Sequence, residues 1–387
     1  MLLRSITLKN LLSFKDATLE LRPLNVLIGA NGSGKSNLID AIGLLQGAPR
    51  NLASAMQRGD GVQGWLRKTE TPPEFAGIQC EVDVGGEPVS QLRYTLHFTE
   101  SNYALLIIRE SLSRESGSGP PAVFDRSRNR YLVGSAVDWG DFHDDHLPIE
   151  PTASVLGYGG IPGPEFAPAR SLARRFTAIR IYREFSTAPS SRIRRGSPTD
   201  AINDFLAEDG SNLALVLSRL NLETGLGEIN RRLHRFFGLA QEVLISVHGG
   251  VAQTYVREQG VPAPFPANRL SAGTLRFLCL LTVLLHPEPP DLICIEEPEI
   301  GLHPDGIQLL GEALVEASSR TQLVVTTHSA ELVDALTAQP ESVVVCERDF
   351  DGSTQFQRQS REKLAEWLEH YTLGDLWKKG EIGGNRW

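Results

Sequence analysis

The sequence predicts an α/β chain built on one mixed central sheet, with an antiparallel β insert and a helical subdomain set between the two halves of that sheet. Three observations carry the prediction. Short, mainly apolar runs recur near both ends of the chain (LNVLI at 24–28, LICIE at 292–296, QLVVTT at 322–327), and each is followed by a turn and a helix-like stretch, the pattern of buried parallel strands. Between 75 and 135 the runs GIQCEVDV, QLRYTLHF and NYALLIIRE alternate with period two and are separated by Gly, Ser and Pro. Residues 199–238 have helical spacing. The expected division is 1–74 for the first half of the core, 75–170 for the β insert and its loops, 171–264 for a helical and basic insert, and 265–387 for the second half of the core.

Each element follows in order. LLRSITL and ATLELR alternate as strands, and the first fourteen residues lack the long apolar stretch of a signal peptide. NLIDAIGLL, after Lys35, reads as a helix. The stretch 136–170 is rich in Pro, Gly and Asp and is expected to be loop. Asp200 and Ser211 are the expected N-caps of the helical insert. RFLCLLTVLL, 305–319 and AELVDALTA are helices of the last third. There ESVVVCERD is expected to return through a two-residue Asp351-Gly352 hairpin into TQFQRQ. No internal repeat is visible.

Composition excludes several classes of function. With 387 residues and 41% hydrophobic content, the chain can bury a large core spread over two or three lobes. The balance of 38 Lys+Arg against 47 Asp+Glu, net −9, rules out a polybasic nucleic-acid coat; any such contact needs a local patch. Cys80, Cys279, Cys294 and Cys346 are far apart and match no zinc spacing, which is the usage of a reducing, cytoplasmic setting. No apolar run reaches the roughly 18 residues of a membrane span.

The strongest motif is Gly29-Ala30-Asn31-Gly32-Ser33-Gly34-Lys35-Ser36, which fits G-x-x-x-x-G-K-[ST] between an apolar strand and a helix. Glycines let the backbone curl so that successive N–H groups face one anion, and the helix N-terminus adds its partial positive charge. Lys35 is placed to reach the β- and γ-phosphates of ATP, and the Ser36 hydroxyl to ligate Mg²⁺.

A second group surrounds the strand LICIE. Glu296 and Glu297 end it, and on a continuing strand they point to opposite sides, so they are expected to have different tasks. Glu296 stands where an acid helps hold Mg²⁺ through its water shell, and Glu297 where a general base polarises the attacking water. Upstream, Leu270-Ser271-Ala272-Gly273 opens a helix, a second anion-binding terminus. Downstream, His328 follows the strand QLVVTT.

The order of these motifs resembles that of the ATP-binding cassette (ABC) ATPases, in the branch of RecF, the SMC proteins and the OLD-family ATPases. Asn31-Gly32-Ser33-Gly34-Lys35-Ser36-Asn37 is typical of that branch, and Glu297-Pro298-Glu299 with Leu302-His303-Pro304 looks like the OLD-related "AAA-type" bacterial defence ATPases. The resemblance covers about 1–50 and 265–350. It implies an ABC-type ATPase head: a Walker A loop, a signature at Ser271 and Gly273, a Walker B strand and a switch histidine, His328. It further implies a head-to-head homodimer, with room for higher assembly, in which Ser271 and Gly273 of one copy meet the γ-phosphate held by Lys35 of the other. Three features depart from that pattern. Glu296 replaces the commoner Asp; Asn10-Leu11-Leu12-Ser13 lacks the arginine of N-F-R-S; and Gln46 and Gln79 both compete for the Q-loop role.

The remaining features leave the output open. With 59 residues after His328, no Toprim nuclease domain is expected in this chain. Glu347, Asp349 and Asp351 read as a hairpin, and the run Asp141–His146 as a solvated loop. The OLD-like resemblance therefore implies a separate effector such as a nuclease in antiphage defence. The alternative is a RecF-like, ATP-gated DNA-binding protein in repair. It rests on the interval from Arg170 to Arg195, where Arg170, Arg174, Arg175, Arg180, Arg183, Arg192, Arg194 and Arg195 are interleaved with Phe176, Tyr182 and Phe185. The bland reading is that some of those arginines pair with acids elsewhere or serve the ATP interface. A membrane-transporter motor fits less well, for want of a span. Trp377 and Trp387 of the tail are suited to docking, on this chain's own body or on a partner.

Overall fold

The computed structural model describes residues 1–57, 61–84, 91–114, 122–127, 130–133, 150–158 and 166–384. The chain opens with β1 (Leu3–Leu11), β2 (Phe14–Glu20) and β3 (Leu24–Ile28), then α1 (Lys35–Gly47) and the single turn α2 (Leu52–Ala55). β4 (Ala76–Asp83), β5 (Gln91–Ser101), β6 (Ala104–Arg114), β7 (Ala122–Ser127) and β8 (Arg130–Val133) extend β1 and β2 into an antiparallel sheet ordered β2-β1-β4-β5-β6-β7-β8. α3 (Ala167–Ala178) and β9 (Arg180–Tyr182) return the chain to the centre. Next come α4 (Arg192–Arg195), β10 (Ser197–Pro198), α5 (Leu213–Glu223), α6 (Gly227–Phe236), β11 (Ala240–His248), β12 (Val251–Glu258) and β13 (Phe265–Pro266). The last third runs α7 (Ala272–Leu284), β14 (Leu292–Glu296), α8 (Pro304–Ala317), β15 (Gln322–Thr326), α9 (Ala330–Asp334), β16 (Val343–Arg348), β17 (Thr354–Arg358), α10 (Arg361–Leu368) and α11 (Leu373–Lys378).

The central sheet is mixed and ordered β17-β16-β3-β15-β14-β9. β16, β3, β15, β14 and β9 are parallel, and β17 is antiparallel at one edge. Both faces are covered at its centre, which is why β3, β14 and β15 are mainly apolar rather than alternating, whereas the edge strand β17 (TQFQR) is polar and partly exposed. Ile293 and Ile295 of β14, with Leu323 and Val325 of β15, face a core built from α5–α9. Leu292, Cys294 and Val324 face the opposite core, against α1 and the antiparallel sheet. Each such side chain, fully buried, contributes about 1.5–3 kcal/mol.

The middle of the chain departs from expectation in three places. Within 136–170, residues 155–157 form a 3-10 turn and α3 begins at Ala167. Within 199–238 no helix starts at Asp200 or Ser211; α5 begins after Asn212. The Asn212 amide instead ties down the preceding turn, accepting from Ala207 N at 2.8 Å and donating to the carbonyls of Ile202 (2.8 Å) and Phe205 (3.0 Å). The interval 171–264 also contains a small antiparallel sheet, in which β11 and β12 join at Gly249-Gly250 with φ of 54° and 76°. That pair is a hairpin signal in its own right. The run Asp141–His146 and Trp387 lie outside the described residues.

The antiparallel insert is pinned by a buried polar cluster. Fully buried Glu110 accepts from Tyr94 Oη (2.8 Å), Ser154 Oγ (2.5 Å) and Val155 N (2.8 Å), while buried Arg126 donates to the Ala153 carbonyl at 2.6 Å. Glu110→Ala leaves three buried donors without an acceptor and is expected to cost about 3 kcal/mol or more, read as a lower urea midpoint. A midpoint unchanged from wild type would remove this role from the cluster.

Candidate functional site

The loops that follow β3, β14 and β15 leave the sheet side by side, because those strands are parallel neighbours. The carboxyl ends of parallel strands are where α/β sheets bind ligands. Residues 29–34, 297–303 and 327–329 therefore form one surface, although up to three hundred positions separate them in the chain.

The first loop is shaped by its glycines. Gly32 and Gly34 have φ of 75° and 104°, and a Cβ on Gly34 would lie 2.2 Å from Thr354 Oγ1 and 2.8 Å from Ser13 Oγ. Those hydroxyls brace the loop. Thr354 Oγ1 donates to the Ser33 carbonyl (2.8 Å), the Ser13 and Thr354 hydroxyls bond at 2.7 Å, and Asn37 Nδ2 donates to Ser13 Oγ (2.8 Å). Arg348 Nε donates to the Gly32 carbonyl at 2.6 Å. Lys35 is buried, and its Nζ donates to the carbonyls of Gly29 (2.7 Å) and Ala30 (3.0 Å). Burial pushes the Lys35 amine below its usual range, and Cys346, Glu297 and Glu299 act against that shift.

The two carboxylates diverge, but not by strand alternation. β14 ends at Glu296, and Glu297 takes a left-handed conformation (φ 44°) that is uncommon for a residue with a side chain. Its N–H is held by the Thr326 carbonyl (3.0 Å) and Oγ1 (3.2 Å). Glu296 receives the Ser36 hydroxyl and a guanidinium N–H of Arg183; burial pushes its carboxyl above the usual range, and Arg183, then Ser36, oppose this. Glu297 faces His328 instead, with Oε1 3.6 Å from Nε2. Burial first and Lys35 second lower the His328 pKa below its ordinary 6.5, so at neutral pH this is a contact with a neutral ring rather than a salt bridge. Buried Glu299 accepts from Thr327 Oγ1 (2.6 Å) and His328 N (2.8 Å), fixing the turn that carries the histidine.

Ser271 caps α7, its Oγ accepting from Thr274 N at 3.0 Å, and it lies exposed. Gly273 cannot carry a side chain, since a Cβ there would lie 2.7 Å from the Gly301 carbonyl. Ser271 and Gly273 thus sit beside the turn that follows Glu297, at a surface open to a second molecule.

Several residues entered the site unheralded. Asp40, Arg183, Glu299, Ser13 and Thr354 all touch its parts. The tripeptide Glu297-Pro298-Glu299 was a usable signal for Glu299, whereas nothing local marks Thr354. Neither glutamine candidate reaches Ser36 or Glu296 in the bonds it makes. Gln46 Nε2 donates to the Ile179 carbonyl (2.8 Å) and Glu208 Oε1 (2.9 Å), and Gln79 lies in β4 opposite Thr7 and Thr95.

The arginine interval is largely committed to the fold. Arg175 pairs with Asp291 at 3.1 Å, Arg183 with Asp40 and Glu296, and Arg194 donates to the Thr187 and Leu270 carbonyls, each at 2.7 Å. Phe176, Tyr182 and Phe185 are buried, so stacking on bases is closed to them. The tail folds back on its own body. Trp377 is buried, Gly374 N donates to Asp334 Oδ1 (2.8 Å), and Gly384 N donates to Glu347 Oε1 (2.6 Å). Asp349–Ser353 is a five-residue connection rather than a two-residue turn, because Asp351 is drawn out to Lys15 (3.1 Å) and Arg67 (3.4 Å).

The site fits a nucleotide triphosphate with its metal. The buried Ser33 hydroxyl has no partner of its own, and a cleft of about 300 Å³ opens between Asn31 and Ser33 on one side and Glu347, Arg348 and Gly384 on the other. The hydroxyl of Ser36 and the carboxylate of Glu296 are hard oxygen donors. Such donors suit Mg²⁺, which keeps waters and takes phosphate oxygens.

A mixed sheet carrying a phosphate loop, a carboxylate pair and a histidine on adjoining strand ends, with an antiparallel sheet and a helical lobe beside it, defines an ABC-type ATPase head. The chain belongs to the family described as "AAA domain, putative AbiEii toxin, Type IV TA system", whose model matches residues 24–334. It is similar to the Old nuclease of Escherichia phage P2, 23% identical over 91% of this chain and 60% of that protein, so it spans about three fifths of that relative's length. It is also similar to an ATP/GTP phosphatase of Helicobacter pylori, 20% identical over 91% of each chain. The crystal structure of the SmcHead bound to the C-winged helix domain of ScpA matches with a TM-score of 0.57 at 15% identity, over 93% of this chain and 99% of that one, a likeness of fold. The OLD/SMC branch implied by the motif order is the one these relatives occupy. Among the described residues no helix is long and apolar enough to cross a membrane.

Proposed function

We propose that this chain is a Mg²⁺-dependent ATP switch that closes as a homodimer on two ATP molecules and opens on hydrolysis. One observation carries the reading: Lys35 with its glycine loop, the pair Ser36–Glu296 and the pair Glu297–His328 converge on the ends of three adjacent parallel strands. Lys35 and the loop amides hold the triphosphate, with Asn31, Gly32, Ser33, Gly34 and Asn37 shaping the cradle. Ser36 and Glu296 present oxygens to the metal, which when bound neutralises charge on the β- and γ-phosphates. Glu297 orients the attacking water and takes its proton. His328, resting on Glu297, registers the γ-phosphate. Exposed Ser271 and half-buried Gly273, at the start of α7, serve the nucleotide of the second copy.

The output is conformational and acts on a separate effector, a nuclease-like protein in antiphage defence. Support comes from the similarity to a phage protein named a nuclease. Two measurements test the reading. Light scattering with and without Mg·ATP should show an ATP-induced dimer, and a monomer under both conditions would refute the switch. Co-purification with the product of the neighbouring gene should retain a partner; a dimer isolated alone would count against the effector. The RecF-like alternative draws on exposed Arg174, Arg192 and Arg195. It would require ATP- and salt-dependent duplex binding that is lost when Arg192 and Arg195 become Glu.

A further inference from the structure

The carboxylate assigned to the metal already holds a cation of its own chain. β9 runs parallel to β14 with Tyr182 opposite Ile295, so the next residues, Arg183 and Glu296, emerge together. The Arg183 guanidinium donates through one Nη to Glu296 and through the other to Asp40 of α1. Its Nε is buried with no partner, so this side chain is held by its two carboxylates and not by a full set of bonds. At equal distance and screening, a divalent ion acts on a neighbouring unit charge twice as strongly as a monovalent one. A divalent metal bound to Glu296 and an arginine on the same carboxylate therefore repel strongly.

The guanidinium has somewhere to go. A cleft of about 500 Å³ lies along α1, and its charged lining is four carboxylates, Asp40, Glu184, Glu208 and Asp209, against Arg50 and Arg183. Asp40 can keep one Nη while the other turns into this acidic space. The chain beyond Arg183 leads to the start of α7: Phe185 and Ile193 lie in the core with α7, and Arg194 holds the Leu270 carbonyl directly before Ser271.

We propose that Arg183 is a positioning residue that acts as an internal counter-ion, occupying Glu296 in the metal-free head and yielding it when metal and nucleotide load. The exchange moves segment 184–195 and, through Arg194, the approach to Ser271. This rests on the nucleotide-site reading above. It differs from a Q-loop glutamine ligand in sign, because the residue competes with the metal instead of binding it.

The experiment is a titration of binding, independent of turnover. A fluorescent ATP analogue is bound with EDTA and then with rising Mg²⁺, and Mn²⁺ uptake is followed by electron paramagnetic resonance. Arg183→Gln should bind the analogue in EDTA as wild type does, yet need about tenfold less metal for half-saturation, the scale of one partly screened charge interaction. Asp40→Asn removes the alternative tether and should raise the metal requirement, so the proposal has a second test of opposite sign if the first variant fails to fold. An unchanged or raised metal requirement in folded Arg183→Gln, or an unchanged or lowered one in Asp40→Asn, overturns it. If wild-type protein binds no analogue under any condition, the nucleotide-site reading itself fails; that outcome is distinct from a normal affinity with no metal shift.

Discussion

Lys35→Ala is expected to abolish nucleotide binding, with affinity falling at least about 100-fold in a fluorescence or calorimetric titration. The amine is buried and bonded to the carbonyls of Gly29 and Ala30, so in the free protein it closes the loop on itself. A triphosphate would replace those neutral acceptors with anionic oxygens, so that both partners of the bond carry charge. Burial lowers the pKa of this amine, and Glu297 and Glu299 are among the groups that oppose the shift. The loop is also braced from outside by Thr354 and Arg348, so the substitution should leave the fold intact, with a melting temperature close to wild type. A variant that binds and cleaves ATP normally would end the interpretation of this surface as a nucleotide site.

Glu297→Gln is the second large effect. Hydrolysis should fall by about 10²–10⁴-fold while ATP binding is kept, and ATP-bound dimers should accumulate in size-exclusion chromatography with light scattering. The swap preserves shape, and the backbone that aims the side chain is fixed by bonds from Glu297 N to Thr326, which the substitution does not touch. The charge and basicity of the group are lost while its size is kept. Glu296→Gln is the contrasting case, since it weakens the partner of Ser36 and Arg183 and should act on metal dependence. Undiminished turnover in Glu297→Gln would move the water-activating role to another residue.

Much of the central sheet was legible because its signals are local. Strands buried on both faces show as unbroken apolar runs, and LNVLI, LICIE and QLVVTT became β3, β14 and β15 within a residue of the expected ends. The middle of the chain was less legible. β11 and β12 have mostly half-exposed or exposed side chains on β11, so their apolar patterning is weak, and Gly249-Gly250 was the one clear signal. Likewise Asn212 was passed over for Ser211, because its side chain bonds backward into the loop 202–207 instead of forward onto the helix.

The sequence by itself determined the phosphate loop, the order of the motifs around it and the strands that carry them. Glycine freedom, helix starts and two-residue alternation are properties of a few consecutive residues. The tertiary structure alone decided what those motifs meet: Thr354 against Ser33, Glu299 beneath His328, and Arg183 on Glu296 rather than on nucleic acid. Each of those contacts spans tens to hundreds of positions and exists only because hydrogen bonding and burial set β16, β3, β15, β14 and β9 side by side, an order that no local pattern of side chains encodes.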